Sequence, residues 1–361
     1  MIDNWKTIME SPQNATLQED LDRIAEEFPF AEDFSGKTIL VTGATGLIGS
    51  QVVKALAAIN RIEDRNIRIL AQARNEEKAH KVFGDLLRRG DIVPVIADVR
   101  EPLPIDGAVD YIVHGAAPTG SRFFVEQPVE TIDAILDGTK ALLELAKSKQ
   151  ILAMVFLSSL EVYGTPLPQQ EWMGENDFGS LDPAQVRSSY SEGKRMAECL
   201  CVSYAKEYGV PVIPARLSQT FGPGVDYDDN RVFMDFARSA LEARDVVLHT
   251  AGRTVRTYLY TKDAVMAILY LLAKGEAGTP YNVTNRDTAV SIREMAELVC
   301  ETVGNGKSKV VVDIPEDVSG FGYNPEMVIR LDPSRLETLG WKATTGLAEM
   351  FARMTAIYTS V

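Results

Sequence analysis

A short apolar run, Thr38 to Val41, leads into three glycines, Gly43, Gly46 and Gly49, and then into a helical pattern over Gln51 to Asn60. Nothing else in the sequence limits the fold as much. Glycine has no Cβ, so the backbone of such a turn can approach a pyrophosphate closely, and the start of the next helix offers unpaired N–H groups to an anion. Strand, glycine turn and helix in that order predict a nucleotide-binding unit, with Gly43, Gly46, Leu47, Ile48 and Gly49 as its contacts. The plain alternative is a β–α turn that holds nothing. The first glycine spacing is three residues rather than the two of the usual dinucleotide fingerprint.

Further apolar runs follow at Ile67–Ala73, Ile92–Ala97, Tyr111–His114, Ala153–Leu157 and Val212–Ala215, separated by helical stretches such as Val129–Lys149. That alternation predicts right-handed crossovers and an α/β fold, a Rossmann-like doubly wound parallel sheet. A smaller C-terminal α/β lobe completes it. The expected division is a helical extension over 1–35, a dinucleotide-binding domain over 36–217 and a substrate lobe over 218–361, with segments near 255–285 returning to the first domain. In the extension, Leu17, Leu21, Ile24 and Phe28 recur at helical spacing, which predicts an amphipathic helix packed on the body or against a partner subunit.

In such sheets the ligand sits beyond the carboxyl ends of the strands. The position 22 residues after Gly49, where an acid would take the ribose hydroxyls of NAD, is Ala71, and the nearest charge is Arg74. A guanidinium there pairs with a 2′-phosphate or stacks on adenine. It can equally be a solvated arginine at a strand end, so NAD and NADP both stay open. Asp98, followed by Val99, is placed to accept from the adenine amino group. Gly115-Ala116-Ala117 leaves room for a cofactor across the strand ends.

The net charge of −14 argues against nucleic acid as a partner. No run of about 18 apolar residues suggests a membrane span, and the first residues lack the form of a secretion signal. Cys199, Cys201 and Cys300 show no metal or redox spacing, and His80, His114 and His249 are scattered. The expectation is a cytoplasmic protein without a metal.

Two stretches carry the chemistry. Ser158 and Ser159 leave the fifth strand within Phe156-Leu-Ser-Ser-Leu-Glu-Val-Tyr-Gly164, and Ser189-Tyr-Ser-Glu-Gly-Lys-Arg opens a long helix. Tyr190 and Lys194 stand one turn apart on one face of it. A phenol near pKa 10 needs a neighbouring cation to act as a base at neutral pH. Lysine four residues on supplies that charge, and a serine opposite holds the oxygen being deprotonated. Ser159, Tyr190 and Lys194 therefore make a hydroxyl-to-carbonyl oxidation site beside a nicotinamide.

With these motifs in view, the chain resembles an extended short-chain dehydrogenase/reductase of the nucleotide-sugar epimerase, dehydratase and decarboxylase family. The resemblance spans roughly residues 36 to 345. It rests on Thr42-Gly-Ala-Thr-Gly-Leu-Ile-Gly, Asp98-Val, Ser158-Ser-Leu-Glu-Val-Tyr-Gly, Tyr190-Ser-Glu-Gly-Lys, Arg216-Leu-Ser-Gln-Thr-Phe-Gly-Pro and Arg253-Thr-Val-Arg-Thr-Tyr-Leu-Tyr-Thr-Lys-Asp263. It implies a tightly bound NAD or NADP, also touching Ala116, Tyr190 and Lys194, that is recycled in each turnover. It further implies that Tyr190 takes the proton of the sugar C4 hydroxyl, aided by Ser159 and tuned by Lys194. The branch it looks most like is the UDP-glucuronate decarboxylases, which share Glu161 and an arginine at the position of Arg231. Glu161 then acts at C5 or orients the ring; alternatively it is a carboxylate bound to backbone N–H groups. Leu160 stands where 4,6-dehydratases carry an acid, and leucine cannot protonate a leaving hydroxyl. Gln219 replaces the family's usual asparagine at the sugar or its phosphate, and Arg231 and Arg256 are candidate pyrophosphate clamps.

The expected reaction is net epimerisation or decarboxylation of a nucleotide sugar. A net NADP-dependent carbonyl reduction and a 4,6-dehydration with an altered acid are the alternatives. Apolar residues on more than one face of helices 129–149 and 184–208 predict a homodimer through those helices. Val310 to Tyr323 resembles the family's substrate-covering loop, Asp263 is read as a helix N-cap and Ser291-Ile-Arg-Glu as a capping box.

Overall fold

The computed structural model describes residues 7–315 and 326–359. Much of the stretch expected as a substrate-covering loop, residues 316–325, lies outside the described residues. Seven strands form the main sheet: β1 (Thr38–Thr42), β2 (Arg68–Ala73), β3 (Ile92–Ile96), β4 (Tyr111–His114), β5 (Ala153–Ser159), β6 (Val212–Leu217) and β10 (Tyr281–Val283). Their order is β10-β6-β5-β4-β1-β2-β3, and every pair is parallel. Near-continuous apolar runs suit strands buried on both faces. The order reverses between β1 and β4, where Val41 pairs with Val113 and Thr42 with His114. A crevice opens beyond the carboxyl ends of neighbouring strands at such a switch point. The glycine turn follows β1 and Gly115-Ala116 follows β4 there.

Two apolar cores sandwich the sheet. On one side lie α2 (Leu47–Glu63), α3 (Glu76–Phe83) and α8 (Thr261–Lys274), with α1 (Ala15–Glu27) packed outside them. On the other lie α4 (Ser121–Glu126), α5 (Pro128–Lys149) and α6 (Ser188–Tyr208), which bury Phe124, Ile135, Leu142, Leu143, Ala197 and Tyr204. The helical spacing in the extension is realised in α1, whose Leu17, Leu21 and Ile24 are buried along with Phe28 at its end.

The C-terminal part builds a second sheet around β9 (Val255–Tyr260). On it β7 (Gln219–Phe221) and β13 (Val328–Ile329) pair in parallel, and β11 (Asn285–Ser291) pairs antiparallel. The short strands β8 (Val246–Leu248) and β12 (Val310–Val312) pair apart from it. A third core joins this lobe to α7 (Val232–Leu241), α9 (Ile292–Thr302) and α11 (Leu347–Thr359), while α10 (Ser334–Glu337) lies against β10. Of the segments near 255–285, α8 and β10 belong to the main sheet and its core, whereas β9 belongs to the second sheet. The capping box at Ser291 and Glu294 is present. Asp263 is not the N-cap of α8, a place taken by Tyr260. Its carboxylate instead accepts from Thr344 N and Oγ1 and Thr345 N, pinning the chain ahead of α11. Among the described residues no helix is long and apolar enough to cross a membrane.

Candidate active site

The glycine turn is tight enough to need its glycines. Gly43 has φ +65°, and a Cβ on it would come within 2.9 Å of the backbone of Gly115 and Ala116. A Cβ on Gly49 would lie 2.3 Å from the Gly43 carbonyl oxygen. A Cβ on Gly46, by contrast, would meet only that oxygen, at 3.4 Å. Gly46 is exposed and is the N-cap of α2 with no side chain capping the helix start. An open helix N-terminus with a closely packed glycine floor fits the pyrophosphate of a dinucleotide. The Gln72 amide braces the turn: it accepts from Gly43 N at 3.1 Å and donates to the Ala97 carbonyl at 2.7 Å. Leu47 and Ile48 are half-buried in the first turn of α2, packing toward the C-terminal core and the main core respectively.

The two serines at the end of β5 separate, because consecutive side chains of a strand point to opposite faces. Ser158 is buried and donates to Glu198, whose carboxylate also takes a bidentate contact from Arg216. Ser159 is left for the other face, where its Oγ accepts from Glu161 N at 3.2 Å and its hydroxyl acts to lower the pKa of Tyr190. Tyr190 is buried and stacks on Phe124 at 4.2 Å between centroids. Burial, then the Glu161 charge, pushes its phenol up to about 12 against the Ser159 hydrogen bond and the Arg187 charge. Lys194 Nζ donates to the Leu157 carbonyl at 2.7 Å and lies 5.9 Å from the centre of the Tyr190 ring. Burial lowers its ammonium to about 8, with Glu198 acting in the opposite sense.

Among the described residues Glu161 is held by side chains and not by backbone N–H groups: Arg187 Nη2 donates to Oε1 at 2.9 Å and Ser191 Oγ to Oε2 at 3.1 Å. Sequence reasoning missed Arg187. Its position three residues before Tyr190, on the same helical face, was the available signal. Also missed was Phe124, which has no signature short of the tertiary fold. Leu160 is buried.

Near the cofactor crevice, Arg74 is exposed just past β2 and Val99 is buried against Gly138. The Asp98 carboxylate is engaged by Arg100, through Nε at 3.1 Å and Nη2 at 2.8 Å, which with a backbone contact lowers it to about 2. In the second sheet Gln219 and Tyr258 are register partners, with Arg256 two residues along β9. Gln219 Oε1, Arg256 Nε and the Tyr258 hydroxyl are all buried without a hydrogen-bond partner among the described residues. Arg231 differs: at the start of α7 it is bidentate to Asp229, at 2.6 Å and 3.0 Å, and stacks on Phe233.

The profile of the NAD dependent epimerase/dehydratase family matches residues 39–284. The chain is 32% identical over 324 residues to UDP-glucuronic acid decarboxylase 6 of Arabidopsis thaliana, covering 87% of each. It is 31% identical over 285 residues to UDP-glucuronic acid decarboxylase 1 of Xenopus tropicalis, covering 77% of this chain and 63% of that one. It superposes on UDP-glucuronic acid 4-epimerase from Bacillus cereus in complex with NAD with TM-score 0.71 and 20% identity, covering 89% of this chain and 96% of that one. With UDP-glucose 4-epimerase from Thermotoga maritima the TM-score is 0.73 at 20% identity, covering 89% and 98%. The structural likenesses establish the fold. The family match takes in the glycine turn, Ser159, Glu161, Tyr190 and Lys194: the chain is an enzyme of the NAD-dependent epimerase/dehydratase family.

Proposed function

We propose that the chain acts on a nucleotide sugar, oxidising the C4 hydroxyl to a ketone, transforming it and reducing it again. The observation that supports this most is the placement of Ser159 at the carboxyl end of β5 and of Tyr190 and Lys194 one turn apart on α6, with Lys194 Nζ anchored to the Leu157 carbonyl of β5 at 2.7 Å. A bound dinucleotide supplies the hydride acceptor and afterwards the donor. Ser159 orients the reacting oxygen, Tyr190 removes its proton and returns one later, and the Lys194 ammonium favours the phenolate. Gln219 and Arg256 bind the substrate, since each carries a buried polar atom that costs free energy until it finds a partner. Arg231 exchanges Asp229 for the pyrophosphate.

Decarboxylation of UDP-glucuronate is the favoured net reaction. Relatives bearing that activity in their names are 32% identical across most of the chain, and Glu161 stands beside the base. The buried Leu160 speaks against 4,6-dehydration. NAD, retained and recycled, is the proposed cofactor; the exposed Arg74 makes NADP the competitor to measure. The proposed setting is the cytoplasm and the proposed assembly a homodimer through α5 and α6, whose outer side exposes Val129, Met196, Cys199 and Val202.

Incubation of the purified protein with UDP-glucuronate, followed by mass spectrometry, is expected to show loss of carbon dioxide with no net change in reduced nicotinamide. A product of unchanged mass would move the reading to epimerisation. Stoichiometric consumption of NADPH would replace it with carbonyl reduction. Tyr190→Phe should be inactive while still binding the dinucleotide; undiminished turnover would remove Tyr190 as the base.

A further inference from the structure

Glu161 places a carboxylate at the start of the helix that bears Tyr190, its Oε2 accepting at 3.1 Å from Ser191, the residue after the tyrosine. A phenolate and a carboxylate repel, so such a neighbour disfavours the reactive form of the base. The structure answers this with Arg187. It immediately precedes α6, and its Nη2 lies 2.9 Å from Glu161 Oε1. The guanidinium also sits 4.9 Å from the centre of the Phe124 ring, the ring stacked on Tyr190. Both members of the ion pair keep 22% of their side-chain surface exposed, so the pair lies at the crevice wall and not in the core.

We propose that Arg187 is a positioning residue of the oxidation step, which draws Glu161 against Ser191 and counter-charges it beside the Tyr190 hydroxyl. This rests on the reading of Tyr190 as the base. Lys194 acts from the other side, with its ammonium anchored on the Leu157 carbonyl and 5.9 Å from the Tyr190 ring centre, and Arg187 adds its charge to that of the lysine. On the Tyr190 phenol, Glu161 pushes up and Arg187 pulls down. Among the described residues, Lys194 of the same helix and the neutral His114 of β4, on which the Lys194 charge acts, are further nearby titratable groups besides Glu198. From the end of β5 comes the neutral Ser159. From α4 comes the Phe124 ring, while Arg122 and Glu126 of that helix pair with each other at the surface. From α5 the apolar Ile135 packs on Gly193, in the next turn of α6.

The pair also gives Glu161 a defined geometry. With one oxygen on Arg187 and the other on Ser191, its carboxylate is fixed to the same helix as the base. A shift of α6 therefore carries base and carboxylate together.

The test is the pH profile of kcat/KM for wild type, Arg187→Gln and Arg187→Lys, each loaded with dinucleotide. Loss of the guanidinium leaves Glu161 uncompensated, so the acidic limb of Arg187→Gln should move about one pH unit upward, a ~10-fold loss of rate on that limb. KM and dinucleotide affinity should stay near wild type, and Arg187→Lys should recover most of the shift. A uniform loss at every pH with the limb in place, or a rise in KM alone, would overturn the proposal and leave Arg187 a structural or substrate-binding residue. Failure of the underlying reading looks different, because Tyr190→Phe would then retain turnover whatever Arg187 does.

Discussion

At the scale of single residues, His114 shows how the site keeps its charges few. Its Nδ1 is 2.7 Å from Thr42 Oγ1 at the end of β1, and its Nε2 is 3.3 Å from Thr139 Oγ1 on α5. The ring thus ties two carboxyl-end elements around the crevice without adding a second positive charge beside Lys194. Burial, and then the Lys194 ammonium, lowers its pKa to about 3. In the unfolded chain a histidine titrates near pH 6.5. Between about 6.5 and 3 the unfolded chain therefore binds a proton that the folded chain refuses, so stability is full above that window and falls with pH inside it. The slope from one such group is at most ~1.4 kcal/mol per pH unit. His114→Gln should flatten the pH dependence of the urea midpoint between about pH 6.5 and pH 4.5, above the range where ordinary carboxylates titrate. Parallel curves for wild type and variant would show that His114 does not stay neutral. The scattered histidines of the sequence gave no hint of this, because the neutral state is imposed by burial in the tertiary fold and by Lys194 on another element.

At the scale of elements, legibility followed the range of the forces involved. The glycine turn, the capping box at Ser291, the Tyr190–Lys194 spacing and α1 were readable because each is set within a few consecutive residues. The second sheet was not, since it gathers β7, β9, β11 and β13 from four separate stretches. Strands of three and two residues are too short to carry a period. Asp263 was misread for a related reason: the tertiary contacts to Thr344 and Thr345 outbid a local cap. Arg187 escaped because its partner lies 26 residues back along the chain. The extension was legible as a helix but not as a clamp. It packs on α2, α8 and α11, and its buried Asp20 accepts from both Tyr260 at the end of β9 and Arg353 on α11. Leu21 on the same helix is fully buried. Leu21→Ala should cost about 2–5 kcal/mol in urea unfolding, with Tyr190-dependent kcat unchanged where the variant remains folded. A loss below about 0.5 kcal/mol would mean that α1 is an ornament on a body stable without it.

At the scale of the whole molecule, the question is what covers the outer side of α5 and α6. The apolar residues expected there divide in two. Ile135, Leu142 and Leu143 are buried inward, while Ile132 and Leu136 are half-buried and Val129 is 62% exposed. On α6, Met196 is 53% exposed, Cys199 is exposed and Leu200 half-buried. Val129, Ile132 and Leu136 follow helical spacing, as do Met196, Cys199 and Leu200, so each helix carries a narrow apolar strip. Asp133, Asp137, Lys140 and Glu144 of α5 are exposed and charged. A self-pairing surface would therefore be a thin seam with charged flanks, formed between chains that each carry a net −14. Repulsion of that kind is screened beyond roughly 8 Å at physiological salt, whereas burial of the seam is not weakened by salt. The proposed dimer should thus persist, and tighten, as ionic strength rises. The double substitution Val129→Glu with Met196→Glu puts a charge into each strip and should give monomers by light scattering at micromolar concentration. Because Tyr190 and Lys194 are buried, away from the exposed Met196 of the same helix, the monomer tests whether the seam also steadies the proposed base: retained kcat means the dimer serves stability alone. A wild-type mass near 39.7 kDa at moderate salt would dispose of the dimer altogether.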